Sequence, residues 1–132
     1  MVSGYPAFMK RENYRATKGA LGEAIAKKYL LSKGYAFLVS NFQTRRGEVD
    51  LVMSDGETFV FVEVKLRTSD LYRPRDSVDR HKQQRLIWTA EEFLMKHGLL
   101  EEVHWRIDVV EIVLRGTKAN VTHIKSAVFR GM

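Results

Sequence analysis

The sequence predicts an α/β sandwich, a mixed β-sheet with helices packed on it, and three observations carry that expectation. The chain has 132 residues, 45% of them hydrophobic, which suits one folded domain with a single core. Its patterned segments follow one another in the order αβββαββ. No repeat, low-complexity segment or Pro/Gly-rich linker divides them. One domain over residues 1–132 is expected, with residues 1–16 peripheral or flexible.

Each element has its own signal. From about Thr17 to Ser32, Leu21, Ile25 and Tyr29 recur every fourth residue and Gly34 supplies a stop, as in a helix. Tyr35–Phe42, "YAFLVSNF", reads as a first strand. Gly47–Met53, "GEVDLVM", alternates acid and apolar residues, the pattern of a half-buried strand. Asp55-Gly56 is a hairpin turn signal, and Thr58 to Leu66 is the returning strand. Arg67 to Val78 is polar, charged and interrupted by Pro74, so it is expected to be an exposed loop. A second helix follows from about Asp79 to Lys96, with Leu86, Ala90, Phe93 and Leu94 on one face and Gly98 after its end. Trp105–Leu114, "WRIDVVEIVL", is apolar enough for a central strand, and a weaker strand lies near Asn120 to Lys125.

Composition narrows the function classes. The chain lacks cysteine, which excludes a disulfide framework, a thiolate zinc site and a cysteine nucleophile. No run approaches the roughly 18 apolar residues of a membrane span, and "MVSGYPAFMKREN" lacks the apolar region of a secretory signal. A cytoplasmic location with no membrane partner is expected. The 22 Lys and Arg against 16 Asp and Glu give a net charge of +6. A basic surface attracts polyanions such as nucleic acid, although many small soluble proteins are basic without binding any.

The hairpin carries the chemistry. If Asp55-Gly56 is a two-residue turn, Ser54 faces Glu57, Glu48 lies opposite Glu63, and Asp50 lies opposite Phe61. Val49, Leu51 and Met53 then share a core face with Val60, Val62 and Val64, because side chains alternate along a strand. Glu48, Asp50, Glu63 and Lys65 share the other face, beside Phe59 and Phe61. Like charges facing each other across a ladder destabilise a sheet, so three carboxylates need positive charge between them. Lys65 supplies part of it, and Mg²⁺ or Mn²⁺ suits hard oxygen ligands better. The bland alternative is a solvated strand face. Glu23 borders the apolar face of the first helix and either leans toward the sheet or is an ordinary exposed acid. Gln83 extends the core-facing stripe of the second helix as an amide, with Lys82 adjacent, whereas Gln84 and Arg85 point elsewhere. His81, His97, His104 and His123 lack metal-ligand spacing and read as surface or loop residues. Asp108, inside an apolar strand, is expected to have a structural hydrogen-bonding role.

Gly47-Glu48-Val49-Asp50, then twelve residues, then Glu63-Val64-Lys65 resembles the PD-(D/E)XK nuclease signature. The whole chain resembles the small bacterial YraN-like family of that superfamily through "GEAIAKKYLLSKGY", "GEVDLV", "VFVEVKLR", "KQQR" and "RIDVVEI", between Gly22 and Ile112. One departure is Val49, where the proline that names the motif would stand. The resemblance implies a restriction-endonuclease-like mixed sheet flanked by helices. It also implies a Mg²⁺-dependent endonuclease acting on DNA, including branched DNA. Asp50 and Glu63 would then hold the metal, with the Val64 carbonyl as a further ligand, and Glu23 matches a helical glutamate that joins the site in resolvase-like relatives. Lys65 would orient the attacking water and offset phosphate charge, and Gln83 looks like the glutamine of the RecB-like branch.

The rival expectation is a module that grips nucleic acid without cutting, since the same fold includes members that have lost catalysis. A third is a structural subunit whose acids merely hold a metal. Arg67, Arg73, Arg75, Arg80, Lys82 and Arg85 are candidate phosphate contacts on the segment after the second hairpin strand, diluted by Asp70, Asp76 and Asp79, with a merely solvated loop as the alternative. Two-fold symmetric junction substrates would favour a homodimer.

Overall fold

The computed structural model describes residues 19–68 and 79–128. Its elements are α1 (Ala20–Ser32), β1 (Ala36–Gln43), β2 (Glu48–Ser54), β3 (Thr58–Thr68), α2 (Arg80–Lys96), β4 (His104–Arg115) and β5 (Lys118–Val128). The strands form one mixed sheet in the order β1-β2-β3-β4-β5. All neighbours pair antiparallel except β3 and β4, which run parallel and are joined through α2. Among the described residues no helix is long and apolar enough to cross a membrane.

The sheet is covered on both faces, each by one helix. Leu51, Met53, Val60, Val62, Val110 and Ile112 pack with Ala26 and Leu30 of α1. Val49, Val52, Phe61 and Ile107 pack with Leu86, Ala90, Phe93 and Leu94 of α2. Because β3 and β4 are buried on both sides, they read as near-continuous apolar runs. The expectation of a single core face is thereby corrected. Phe61 is fully buried under α2, in edge contact with Phe93 and Trp105.

Two further expectations shift by small steps. The buried stripe of α1 is Gly22, Ala26 and Leu30, one residue on from the predicted Leu21–Ile25–Tyr29 row, and Leu21 is 54% exposed. Small residues bring α1 close to the sheet: a Cβ on Gly22 would lie 3.2 Å from Leu66 Cβ and 3.3 Å from a Val64 methyl. In the hairpin, Ser54 pairs with Phe59 rather than facing Glu57. The turn is centred on Gly56-Glu57, with Gly56 at φ 109° and the Asp55 carboxylate accepting from Glu57 N and Thr58 N. Every predicted cross-strand pairing moves accordingly.

Asp108 has the structural role expected of it, at the end of the sheet that holds the Asp55 turn. Fully buried, it accepts from Arg106 Nε, Ser126 N and His123, whose Nε2 lies 2.7 Å away. Arg106 continues to Asp55 Oδ2 and the Tyr35 hydroxyl. His123 is therefore an interior residue, packed against Tyr29 and Tyr35, and not the surface histidine predicted. Such a network ties the hairpin turn, the α1–β1 junction, β4 and β5 together.

Candidate metal centre and cleft

At the opposite end of the hairpin the strands change phase together. Val39 and Phe42 of β1 both face α2, as do Val49 and Val52 of β2, so each strand breaks its alternation between those residues. The break falls at Asn41 and Asp50, the residues between the pairs Ser40–Leu51 and Phe42–Val49. Asn41 has φ 55°, a left-handed conformation that asparagine tolerates better than most residues. The β2–β3 ladder also ends here, at the pair Leu51–Val62. Had it continued, Asp50 would stand level with Glu63. Instead the Asp50 carboxylate itself accepts from Val64 N at 2.8 Å. One irregularity thus takes Asp50 out of the ladder pattern and turns Asn41 toward α1, where its amide donates to Glu23 Oε1 at 3.0 Å.

Carboxylates converge at this break. One oxygen each from Glu23, Glu48 and Asp50 lies within 4.8 Å of the other two. Octahedral Mg²⁺ holds its ligands at about 2.0–2.1 Å, which separates ligand oxygens by roughly 3–4 Å. Small rotamer changes would close the difference. Two ionised carboxylates about 5 Å apart repel by roughly 3 kcal/mol at an effective dielectric of 20. A proton relieves that repulsion when no cation does. Burial, then the nearby charge of Glu63, pushes Asp50 up to about 8, against the hydrogen bond from Val64 N. Burial also raises Glu23, with Glu48 adding to it and the Asn41 amide opposing. A half-buried, hard-oxygen donor set with Asp50 and Glu23 raised is one from which a divalent cation would displace a proton.

Gly47, Glu48, Asp50, Glu63, Lys82, Arg85 and Leu86 line an open cleft of about 140 Å³. Glu63 is 5% exposed and pairs with Lys82 Nζ at 2.6 Å. Lys82 is placed by the start of α2, where the Asp79 carboxylate caps its backbone N–H at 2.8 Å. Gly47 is pressed onto α2, since a Cβ there would meet Thr89 Oγ1 at 3.1 Å and Arg85 Cβ at 3.3 Å.

The predicted site residues therefore divide. Glu23, Glu48, Asp50 and Glu63 are brought together, and Lys82 joins them. Lys65 stands two residues beyond Glu63 on the same face of β3, in register with Glu111, and does not line the cleft. Gln83 is half-buried on α2 and also does not line it, whereas Arg85, predicted to point elsewhere, does. Positions 82, 85 and 86 fall on one side of the helix, one turn apart, so that side faces the cleft. Arg67, at the end of β3, donates to the neighbouring Leu66 carbonyl. Arg73 and Arg75 lie outside the described residues.

The chain has clear relatives. It is 42% identical over 124 residues to a UPF0102 protein of Aliivibrio fischeri (strain MJ11), covering 92% of this chain and 98% of that one. It is 40% identical over 111 residues to one of Coxiella burnetii (strain RSA 331), covering 83% and 90%. A UPF0102 protein of Clostridium tetani is 39% identical over 102 residues, covering 76% and 83%. The family described as "Uncharacterised protein family UPF0102" matches residues 22–112, which include every residue of the acidic cluster and the cleft. The chain belongs to family UPF0102, the YraN-like family that its motifs resemble.

Proposed function

We propose that this protein is a Mg²⁺-dependent endonuclease that hydrolyses phosphodiester bonds of DNA, on a PD-(D/E)XK nuclease-like fold. The observation that carries the proposal is the convergence of Glu23, Glu48 and Asp50 where the β2–β3 ladder ends, with Glu63 on the same cleft. Asp50, Glu63, Glu48 and Glu23 would hold the ion, and the Val64 carbonyl is a further candidate ligand. A bound divalent ion supplies a water of lowered pKa and draws charge from the scissile phosphate. The carboxylates fix geometry, with Asp50 anchored by Val64 N and Glu23 by Asn41. Lys82 and Arg85 at the mouth of the cleft would hold the phosphate. Lys65 and Gln83 stand outside the cleft lining, so Lys65 would offset phosphate charge, and Gln83 would orient the backbone, of a substrate that extends beyond it.

One observation favours a second reading, a nucleic-acid-binding module that does not cut. Lys82 already neutralises Glu63 at 2.6 Å, so the cluster is partly satisfied without a metal. Calorimetric titration with Mn²⁺ or Mg²⁺ separates the two readings when paired with a DNA-cleavage assay. The nuclease requires an ion that binds wild type and not Asp50→Ala, together with strand cleavage that EDTA stops. Salt-dependent DNA binding with neither property would favour the module.

A further inference from the structure

A tryptophan stands exposed beside the cleft. Trp88, on α2, is 39% exposed, and the Arg46 guanidinium lies over its ring, 4.9 Å from the centroid. At 39% exposure part of the indole remains open to a ligand, and tryptophan is suited to contacts that are apolar at one end and wet at the other. Its position connects it to the cleft on both sides. Arg46 precedes Gly47, and Trp88 follows Arg85 by one helical turn; Gly47 and Arg85 both line the cleft.

The backbone that carries Arg46 is also held in place. Gly47 is wedged against Arg85 and Thr89, Thr44 N donates to Gly47 O at 2.8 Å, and Arg46 N donates to Thr44 Oγ1. The surrounding exposed side chains include Arg45, Arg46 and Arg85. A part-exposed indole with a guanidinium over one side of its ring, in a segment that carries further exposed arginines, suits a polyanion that also offers flat rings. That describes a nucleic-acid strand whose bases are unpaired, because a base within a duplex is already stacked on both faces.

We infer that Trp88 and Arg46 form a stacking platform for an unpaired nucleotide of DNA, next to the cleft, so that the preferred substrate carries a single-stranded segment. The inference rests on the nucleic-acid reading proposed above and adds the substrate class. Arg46 meets the backbone charge while the exposed part of the indole takes the base.

The test measures binding in EDTA, where no cleavage occurs, by quenching of tryptophan fluorescence and by anisotropy of a labelled strand. A twelve-residue oligothymidylate should bind wild type more tightly than a twelve-pair duplex. Trp88→Ala should weaken oligothymidylate binding roughly 10- to 100-fold, the cost of one or two lost stacks, and leave duplex binding little changed. Trp88→Phe should restore part of the loss, and Arg46→Ala should weaken binding with a shallower salt dependence. Circular dichroism separates a folded variant from an unfolded one, and the exposed Arg46→Ala is the second probe should Trp88→Ala fail to fold. Equal oligothymidylate affinity in wild type, Trp88→Ala and Arg46→Ala would overturn the inference, as would wild type that binds no single strand. If wild type never cleaves DNA yet binds single strands through Trp88, the nuclease reading fails and the platform stands.

Discussion

Replacing Asp50 with asparagine should make the metal-free protein more stable, and increasingly so as pH rises. The wild-type carboxyl titrates near 8 in the folded chain, raised from 3.8 chiefly by burial and then by Glu63. Between those values the folded state holds a proton that the unfolded state has released. Stability must therefore fall with rising pH across that window and level off above about 8. Each unit of pH is worth about 1.4 kcal/mol at most, so the interval from pH 6 to pH 8 has a ceiling of about 3 kcal/mol. Local relaxation reduces this, and about 2 kcal/mol is expected. Asparagine cannot ionise, yet its amide oxygen can still accept from Val64 N. The gap between Asp50→Asn and wild type should therefore widen by about 2 kcal/mol between pH 6 and pH 9. For a chain of this size that corresponds to very roughly 6–10 °C in melting temperature. Urea unfolding in EDTA at the two pH values measures it directly. Millimolar Mg²⁺ at pH 9 should stabilise wild type and leave Asp50→Asn unchanged, which closes part of the gap. A gap that is the same at both pH values would refute the assignment of a buried, repelled carboxylate.

Other consequences follow from particular contacts. Gly22→Val adds atoms where even a Cβ would lie 3.2 Å from Leu66 Cβ, so it should cost about 1–3 kcal/mol in urea unfolding. By shifting α1 it should also weaken Mn²⁺ binding through Glu23, and an unchanged metal titration would separate α1 from the site. Asp108→Ala removes the acceptor of Arg106, His123 and Ser126 N, and should destabilise the fold by about 3–5 kcal/mol. A loss below about 1 kcal/mol would mean that water replaces the carboxylate. Replacing Arg73 and Arg75 with alanine should lower the slope of DNA affinity against salt by roughly one unit per lost phosphate contact. An unaltered slope would leave the cleft-mouth cations, Lys82 and Arg85, as the phosphate contacts.

Much of the fold is written locally in the sequence. The second helix carries its cap at Asp79, its buried row from Leu86 to Leu94 and its terminating Gly98 within twenty residues, so pattern alone locates it. Likewise, the apolar run of β4 reflects burial on two faces, which made its central place legible. Errors arose where one residue decides between near-equal local solutions. Asp55-Gly56 and Gly56-Glu57 are both sound turn centres, and the Asp55 carboxylate selects the second by taking the N–H groups of Glu57 and Thr58. On α1 the buried face runs through Gly22, Ala26 and Leu30, because the two small residues allow a closer approach than the larger Leu21 and Ile25 beside them.

The acids of the candidate site were legible because charge on a strand between apolar neighbours needs a reason. What brings them together was not. The shared phase break at Asn41 and Asp50 depends on a left-handed asparagine, and Asn41 gave only a weak hint through its residue type. Lys82 on Glu63, Arg46 on Trp88 and His123 on Asp108 join residues 15 to 42 positions apart. No periodicity reports such contacts, so pattern alone places His123 on the surface and Arg85 away from the cleft.

If the acidic cluster holds a divalent ion that drives phosphodiester hydrolysis, nicking of supercoiled plasmid will depend on that ion and on its ligands. Wild type, Glu63→Gln and Lys65→Ala would be purified identically and followed over time with Mn²⁺, with Mg²⁺ and with EDTA. Conversion to the nicked form should require the ion and vanish in Glu63→Gln. Lys65→Ala should bind Mn²⁺ normally and cut on the order of 10²–10³-fold more slowly, as when a group acting mainly in the transition state is removed. Cleavage by Glu63→Gln at the wild-type rate, or by wild type in EDTA, would contradict the account.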